Sequence, residues 1–227
     1  MTRRRWLRAH WPVDMRTLAE RLKGLQFTTA TQSGFIVDRL RPASIEGRFI
    51  ERHEISQVVE NPLGERRIYE RTEFRDIGFI ISPEYAGLEV INPPRSINLF
   101  LSRLAEACNF QISVNEVRLD VIDWCERLAT NLGRRVEIVS CQLKDIKISE
   151  DITATAILKG NSDVRQSASL VVNGYTYTND KVKIQVDGTP YYTLILTRQG
   201  SATFDQSSSE VLLDSLRTSL YSSIVQR

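Results

Sequence analysis

Val13-Asp14-Met15-Arg16-Thr17-Leu18-Ala19-Glu20-Arg21-Leu22 is echoed 106 residues later by Leu119-Asp120-Val121-Ile122-Asp123-Trp124-Cys125-Glu126-Arg127-Leu128. The Asp, Glu, Arg and final Leu coincide. Both stretches read as the opening of an amphipathic helix. Asp14 and Asp120 stand where a carboxylate accepts hydrogen bonds from the free N–H groups of a first turn. Leu18, Ala19 and Leu22 then share one face, as do Trp124, Cys125 and Leu128.

Working outward, the same order of elements surrounds each copy. Residues 3–11, with Trp6, Leu7 and Trp11 among arginines, read as a first strand or a free arm. After the first helix, which Gly24 stops, the apolar period becomes strand-like from Phe27 to Ile91. Phe35-Ile36-Val37 opens one strand and residues 45–50 form another. Asn61-Pro62-Leu63-Gly64 is a turn cluster. Residues 66–81 form a long strand, and residues 85–91 close the meander before Asn92-Pro93-Pro94. Residues 96–108 carry Ile97, Phe100, Leu101, Leu104, Ala105 and Cys108 at helical spacing.

The second copy opens with alternating Phe110, Ile112 and Val114. Its helix covers 121–132 and stops at Gly133. Strands are expected at 136–143, 152–158, 168–178, 181–186 and 191–197, with turns at Asn179-Asp180 and Asp187-Gly188. Val182, Ile184 and Val186 face one way and Lys181, Lys183 and Gln185 the other, so this sheet has a wet face. Ser207-Ser208-Ser209-Glu210 reads as a capping box for a last helix over 207–226, with Leu212, Leu213, Leu216, Leu220 and Ile224 as its stripe. The expectation is an α+β chain of two tandem helix–antiparallel meander–helix units, 1–108 and 109–227, as a structural duplication. In layout the two units resemble the TATA-box-binding protein family and, more loosely, the duplicated plan of the ring-shaped RdgC recombination-associated family. No sequence motif of either accompanies the resemblance, which covers the whole chain and concerns fold alone.

Composition bounds the function. With 41% hydrophobic and 26% charged residues and a net charge of +2, the chain is an ordinary globular one. Residues 1–108 hold 17 Lys+Arg and 14 Asp+Glu, and 16 of those 17 are Arg. That bias favours planar, bidentate contacts to phosphate or carboxylate. Cys108, Cys125 and Cys141 show no metal spacing, and two fall on apolar helix faces, as expected of thiols in the cytoplasm. The basic start is not followed by an apolar run, and no apolar stretch is long enough to span a bilayer.

No catalytic constellation emerges. His10 and His53 are isolated, and no glycine-rich phosphate loop or Cys-x-x-Cys occurs. Asp145, Glu150 and Asp151 lack the further ligands that metal chemistry needs. The reading is therefore non-enzymatic, with no catalytic residue, cofactor or metal. Two basic features stand out. Arg3, Arg4, Arg5 and Arg8 surround Trp6, whose indole could stack on a base. Along the long strand, Arg67, Tyr69, Arg71, Glu73 and Arg75 share one face, opposite Ile68, Glu70, Thr72 and Phe74. The expectation is a nucleic-acid-associated protein contacting DNA phosphates through Arg3, Arg4, Arg5, Trp6, Arg8, Arg67, Tyr69, Arg71 and Arg75. The alternative is a structural or adaptor subunit that docks an acidic protein surface, since carboxylates accept the same bidentate bonds. Either could work as a homo- or hetero-oligomer.

Overall fold

The computed structural model describes residues 1–205 and 209–225. In chain order the elements are β1 (Thr2–His10), α1 (Met15–Gly24), β2 (Ser33–Arg41), β3 (Ser44–Glu60), β4 (Arg66–Ile81), β5 (Gly87–Ile91), α2 (Asn98–Ala107), β6 (Ser113–Glu116), α3 (Val121–Leu132), β7 (Val136–Lys147), β8 (Thr153–Lys159), α4 (Arg165–Val171), β9 (Thr178–Val186), β10 (Tyr192–Thr197), β11 (Ser201–Phe204) and α5 (Glu210–Val225). The strands join one open antiparallel sheet ordered β2-β3-β4-β5-β1-β11-β10-β9-β7-β8, with β6 also on β1.

The two echoed stretches are helices for the reason their spelling suggests. Asp14 accepts from the N–H groups of Arg16 and Thr17, both at 2.9 Å. Asp120 accepts from the Ile122 N–H at 2.9 Å, and Gly133 ends α3 at φ 61°. Helix α1 buries Met15, Leu18, Ala19 and Leu22, and α3 buries Val121, Trp124, Cys125 and Leu128.

The central strand divides the interior. Alternation along β1 sends Leu7 and Ala9 into one core, with α1, α2, Phe35, Phe49, Phe79 and Val90. It sends Trp6 into another, with α3, α5, Ile184, Leu194, Leu196 and Phe204. The helices of the two halves therefore cover opposite faces of the sheet. Each half leaves its other face uncovered by its own helices.

Two expected elements are corrected. Residues 168–178 are not a strand: α4 occupies Arg165–Val171. Val164, Ala168 and Val172 are buried at four-residue spacing, and a short apolar run does not reveal its period. Asp163 seats the turn by accepting from the N–H groups of Arg165 (2.9 Å) and Ile138 (3.2 Å). Asn179-Asp180 is not a turn either, because β9 runs through it from Thr178. Of the expected capping box, Ser207 and Ser208 lie outside the described residues. Ser209 accepts from the Leu212 N–H at 3.4 Å.

Candidate nucleic-acid interface

β1 is a fully paired central strand rather than an arm, and its arginines part company. Arg4 and Trp6 point to the face covered by α5. There Glu89, with 5% of its side chain exposed, accepts from Arg4 Nη1 (2.6 Å), Trp6 Nε1 (3.1 Å) and Arg217 Nε (2.8 Å). The indole is 2% exposed and meets Trp124 edge-on at 5.9 Å between centroids. No ring face is left for a base, which removes the stacking role expected of Trp6. Burial lowers the Arg217 pKa, but Glu89 and Asp214 outweigh that and hold the guanidinium above its usual range. Arg8 shares this face and is exposed. Arg3 and Arg5 point to the opposite face, where Arg5 Nη2 bonds Glu116 at 2.6 Å and Arg3 is exposed.

The other predicted group stands together. β3 and β4 pair without a register break from Ile45↔Ile81 to Glu60↔Arg66. β2 accompanies β3 only as far as Glu51, and β5 accompanies β4 only from Gly78. Beyond those points a bare two-stranded ribbon continues. Its eight pairs from His53↔Glu73 to Glu60↔Arg66 extend about 27 Å at ~3.4 Å per residue. At its base Phe27 meets the Phe74 ring edge-on at 6.0 Å, and Arg52 Nη1 donates to the Thr29 carbonyl at 3.1 Å.

Alternation gives the ribbon two different faces. Arg67, Tyr69, Arg71 and Arg75 lie on one, all exposed, with Glu73 bonded to Arg71 at 2.7 Å. Arg52 and Arg66 lie on the other with Glu54, Glu60 and Glu70, around Val58, Ile68 and Phe74, the last three each at least 60% exposed. The predicted set therefore divides into this ribbon face, the Arg3/Arg5 side of β1, and its other side, where Arg4 and Trp6 meet Glu89 and Arg8 is exposed.

Nearer the core, Arg48 lies between Asp38 (3.0 Å) and Asp76 (3.4 Å), which hold its guanidinium well above the ordinary range. His10 is exposed, and His53 Nε2 lies 3.1 Å from Glu51. Among the described residues no group of three or more His, Cys, Asp or Glu is arranged to hold a metal ion. No helix there is long and apolar enough to cross a membrane. Two positions escaped the sequence reading. Glu89 organises the joint between halves, and its only signal is a carboxylate inside the apolar run Leu88-Glu89-Val90-Ile91. Lys181 and Lys183 of β9 read merely as a wet face, and Lys159 of β8 carried no signal of its own.

No protein-family model matches the chain, and a comparison with curated proteins finds no match.

Proposed function

We propose that the protein is a non-enzymatic nucleic-acid-binding protein that presents the β3–β4 ribbon to duplex DNA. The observation that carries this reading is the bare ribbon with Arg67, Tyr69, Arg71 and Arg75 on one exposed face. A major groove admits a two-stranded ribbon, and arginine forks match both phosphate oxygens and the guanine edge. The ribbon lacks tertiary cover, and a lone hairpin is at best marginally stable in water, so its role lies in contact with something else. Three free buried cysteines support a reducing compartment such as the cytoplasm.

The test is fluorescence anisotropy of a labelled duplex against salt. It compares the wild type, Arg67→Ala/Arg71→Ala/Arg75→Ala, and a variant with residues 55–71 replaced by an Asn-Gly turn. Removing one arginine–phosphate pair lowers the slope of log K against log salt by about 0.9. Equal affinity and slope in all three proteins would refute the ribbon reading. A second reading, an adaptor docking a protein partner, is favoured by the opposite ribbon face, where Val58, Ile68 and Phe74 stand among three glutamates. Its signature is a partner retained after nuclease treatment and released when the ribbon is removed.

We also infer that the halves arose by duplication. The series α1-β2-β3-β4-β5-α2 corresponds to α3-β7-β9-β10-β11-α5, with β8 and α4 as an insertion. Outward from β1 the strand orders match, β5-β4-β3-β2 and β11-β10-β9-β7. β5 and β11 are both antiparallel to β1, hence parallel to each other. Two same-handed units laid outward from one strand in this way are related by rotation about it, and that rotation puts their helices on opposite faces. A superposition of the two series that needs no rotation near a half-turn, or fails to align the strands, would count against it.

A further inference from the structure

The uncovered face of the second half carries two cross-strand rows that the pairing registers define residue by residue. One runs Arg3–Thr203–Ile195–Lys183–Ser140–Lys159 across β1, β11, β10, β9, β7 and β8. The next runs Arg5–Ser201–Thr197–Lys181–Gln142–Ile157 across the same six strands. Each row spans about 24 Å at ~4.8 Å per strand, and the rows lie about 6.7 Å apart. Five of the twelve positions are Lys or Arg and none is Asp or Glu. Arg5 is held by Glu116 at one end. Arg3, Lys159, Lys181 and Lys183 are exposed and, among the described residues, are joined to no acid. Of the acids that flank the rows, Glu137 is engaged with Arg135 at 2.7 Å and Asp180 with Lys144 at 2.8 Å, and the exposed Asp205 stands just past the end of β11, two residues beyond Thr203. The helices of this half pack on the other side, and a concavity of about 620 Å³ opens among Ser140, Gln142, Lys159, Lys181 and Lys183.

We infer that this face is a phosphate track for the backbone of a nucleic-acid strand, separate from the ribbon. The uncharged positions argue for phosphate. Thr197, Thr203 and Gln142 supply hydroxyl and amide donors between the cations, the groups that commonly bond phosphate oxygens, while the Ser140 hydroxyl is given to the Leu158 carbonyl at 2.9 Å. Lysines here act as point charges that neutralise phosphates and so release the counterions condensed on the strand, which drives backbone binding. No aromatic side chain lies in either row, so bases are not stacked and the track is indifferent to sequence. The inference rests on the nucleic-acid reading but not on the ribbon.

The test is a salt titration of a short mixed-sequence single strand and its duplex. The proteins are the wild type, Lys159→Gln/Lys181→Gln/Lys183→Gln, the Lys→Arg triple variant and the ribbon-shortened variant. For single strands, each of the three lysines neutralised lowers the slope by about 0.7, together roughly a factor of ten or more in the ratio of affinities between 50 and 200 mM salt. The Gln variant should show that reduction equally on unrelated sequences and keep a wild-type unfolding midpoint, and the Arg variant should keep the slope. Weaker binding by the Gln variant with no change on ribbon shortening supports the track and removes the ribbon reading. Weaker binding on ribbon shortening with an unchanged Gln variant overturns the track alone. No binding by the wild type at low salt overturns both. Displacement of the strand by polyglutamate at equal charge would also overturn the track, assigning the face to an acidic protein.

Discussion

Replacing Glu89 with alanine should unfold the joint between the two halves first. The carboxylate sits on β5 of the first half, with Arg4 and Trp6 from the central strand and Arg217 from α5 of the second. Its removal leaves two guanidinium groups and an indole N–H without their shared acceptor. Cutting one partner out of a buried charge cluster costs about 3–5 kcal/mol. Arg4 and Arg217 keep 15% and 20% of their side chains exposed, so water recovers part of that cost. The expected destabilisation is therefore about 3 kcal/mol, or roughly 6–12 °C in Tm for a chain of this size. Urea unfolding followed by tryptophan fluorescence measures it directly, because Trp6 and Trp124 touch. Glu89→Gln keeps the shape and one acceptor, so it should fall between wild type and Glu89→Ala. A Glu89→Ala protein within half a kcal/mol of wild type would refute the claim that this carboxylate holds the halves together.

Other expectations come from burial and charge. Leu104 is fully buried in the first core, so Leu104→Ala should cost about 2–5 kcal/mol by chemical denaturation. Shortening the ribbon at residues 55–71 should change stability by less than about 1 kcal/mol, since no core residue lies there. Burial pushes the Cys125 thiol far above its ordinary range. The unfolded thiol ionises near pH 8.5 while the folded one stays neutral, so its stabilising share is complete below that pH and declines above it. Denaturation of wild type and Cys125→Ala between pH 7 and about pH 10 should show that convergence. For Asp163, burial raises the pKa, but hydrogen bonds from Arg165 and the Ile138 N–H outweigh it and leave the carboxyl below its usual range. Its contribution is present above the unfolded value of about 3.9 and declines as pH falls further, a slope that Asp163→Asn should abolish.

What could be read from the chain was what local chemistry controls. The Asp caps, the helical stripes and the alternation over 66–81 identified α1, α2, α3 and α5 and the full length of β4. Alternation alone also put Arg67, Tyr69, Arg71 and Arg75 on one face, because side-chain direction in a strand depends only on the period of two. Where the local signal was ambiguous the reading failed. The apolar run after Ala168 suits a strand or a helix, and its choice follows from Val164 and Val172 finding the second core.

Partnership belonged to the tertiary structure. Trp6 and its neighbouring arginines look alike along the chain, yet β1 lies mid-sheet, so successive residues enter different environments. Trp6 is sealed against Trp124, Arg4 is spent on Glu89, and Arg3 joins lysines some 150–180 positions away. The sequence by itself determined the α+β class, the starts of α1 and α3 and the basic face of the ribbon strand. Only the strand order decided which charges are neutralised and which remain free, because an ion pair or a cross-strand row depends on register between segments that no local pattern encodes.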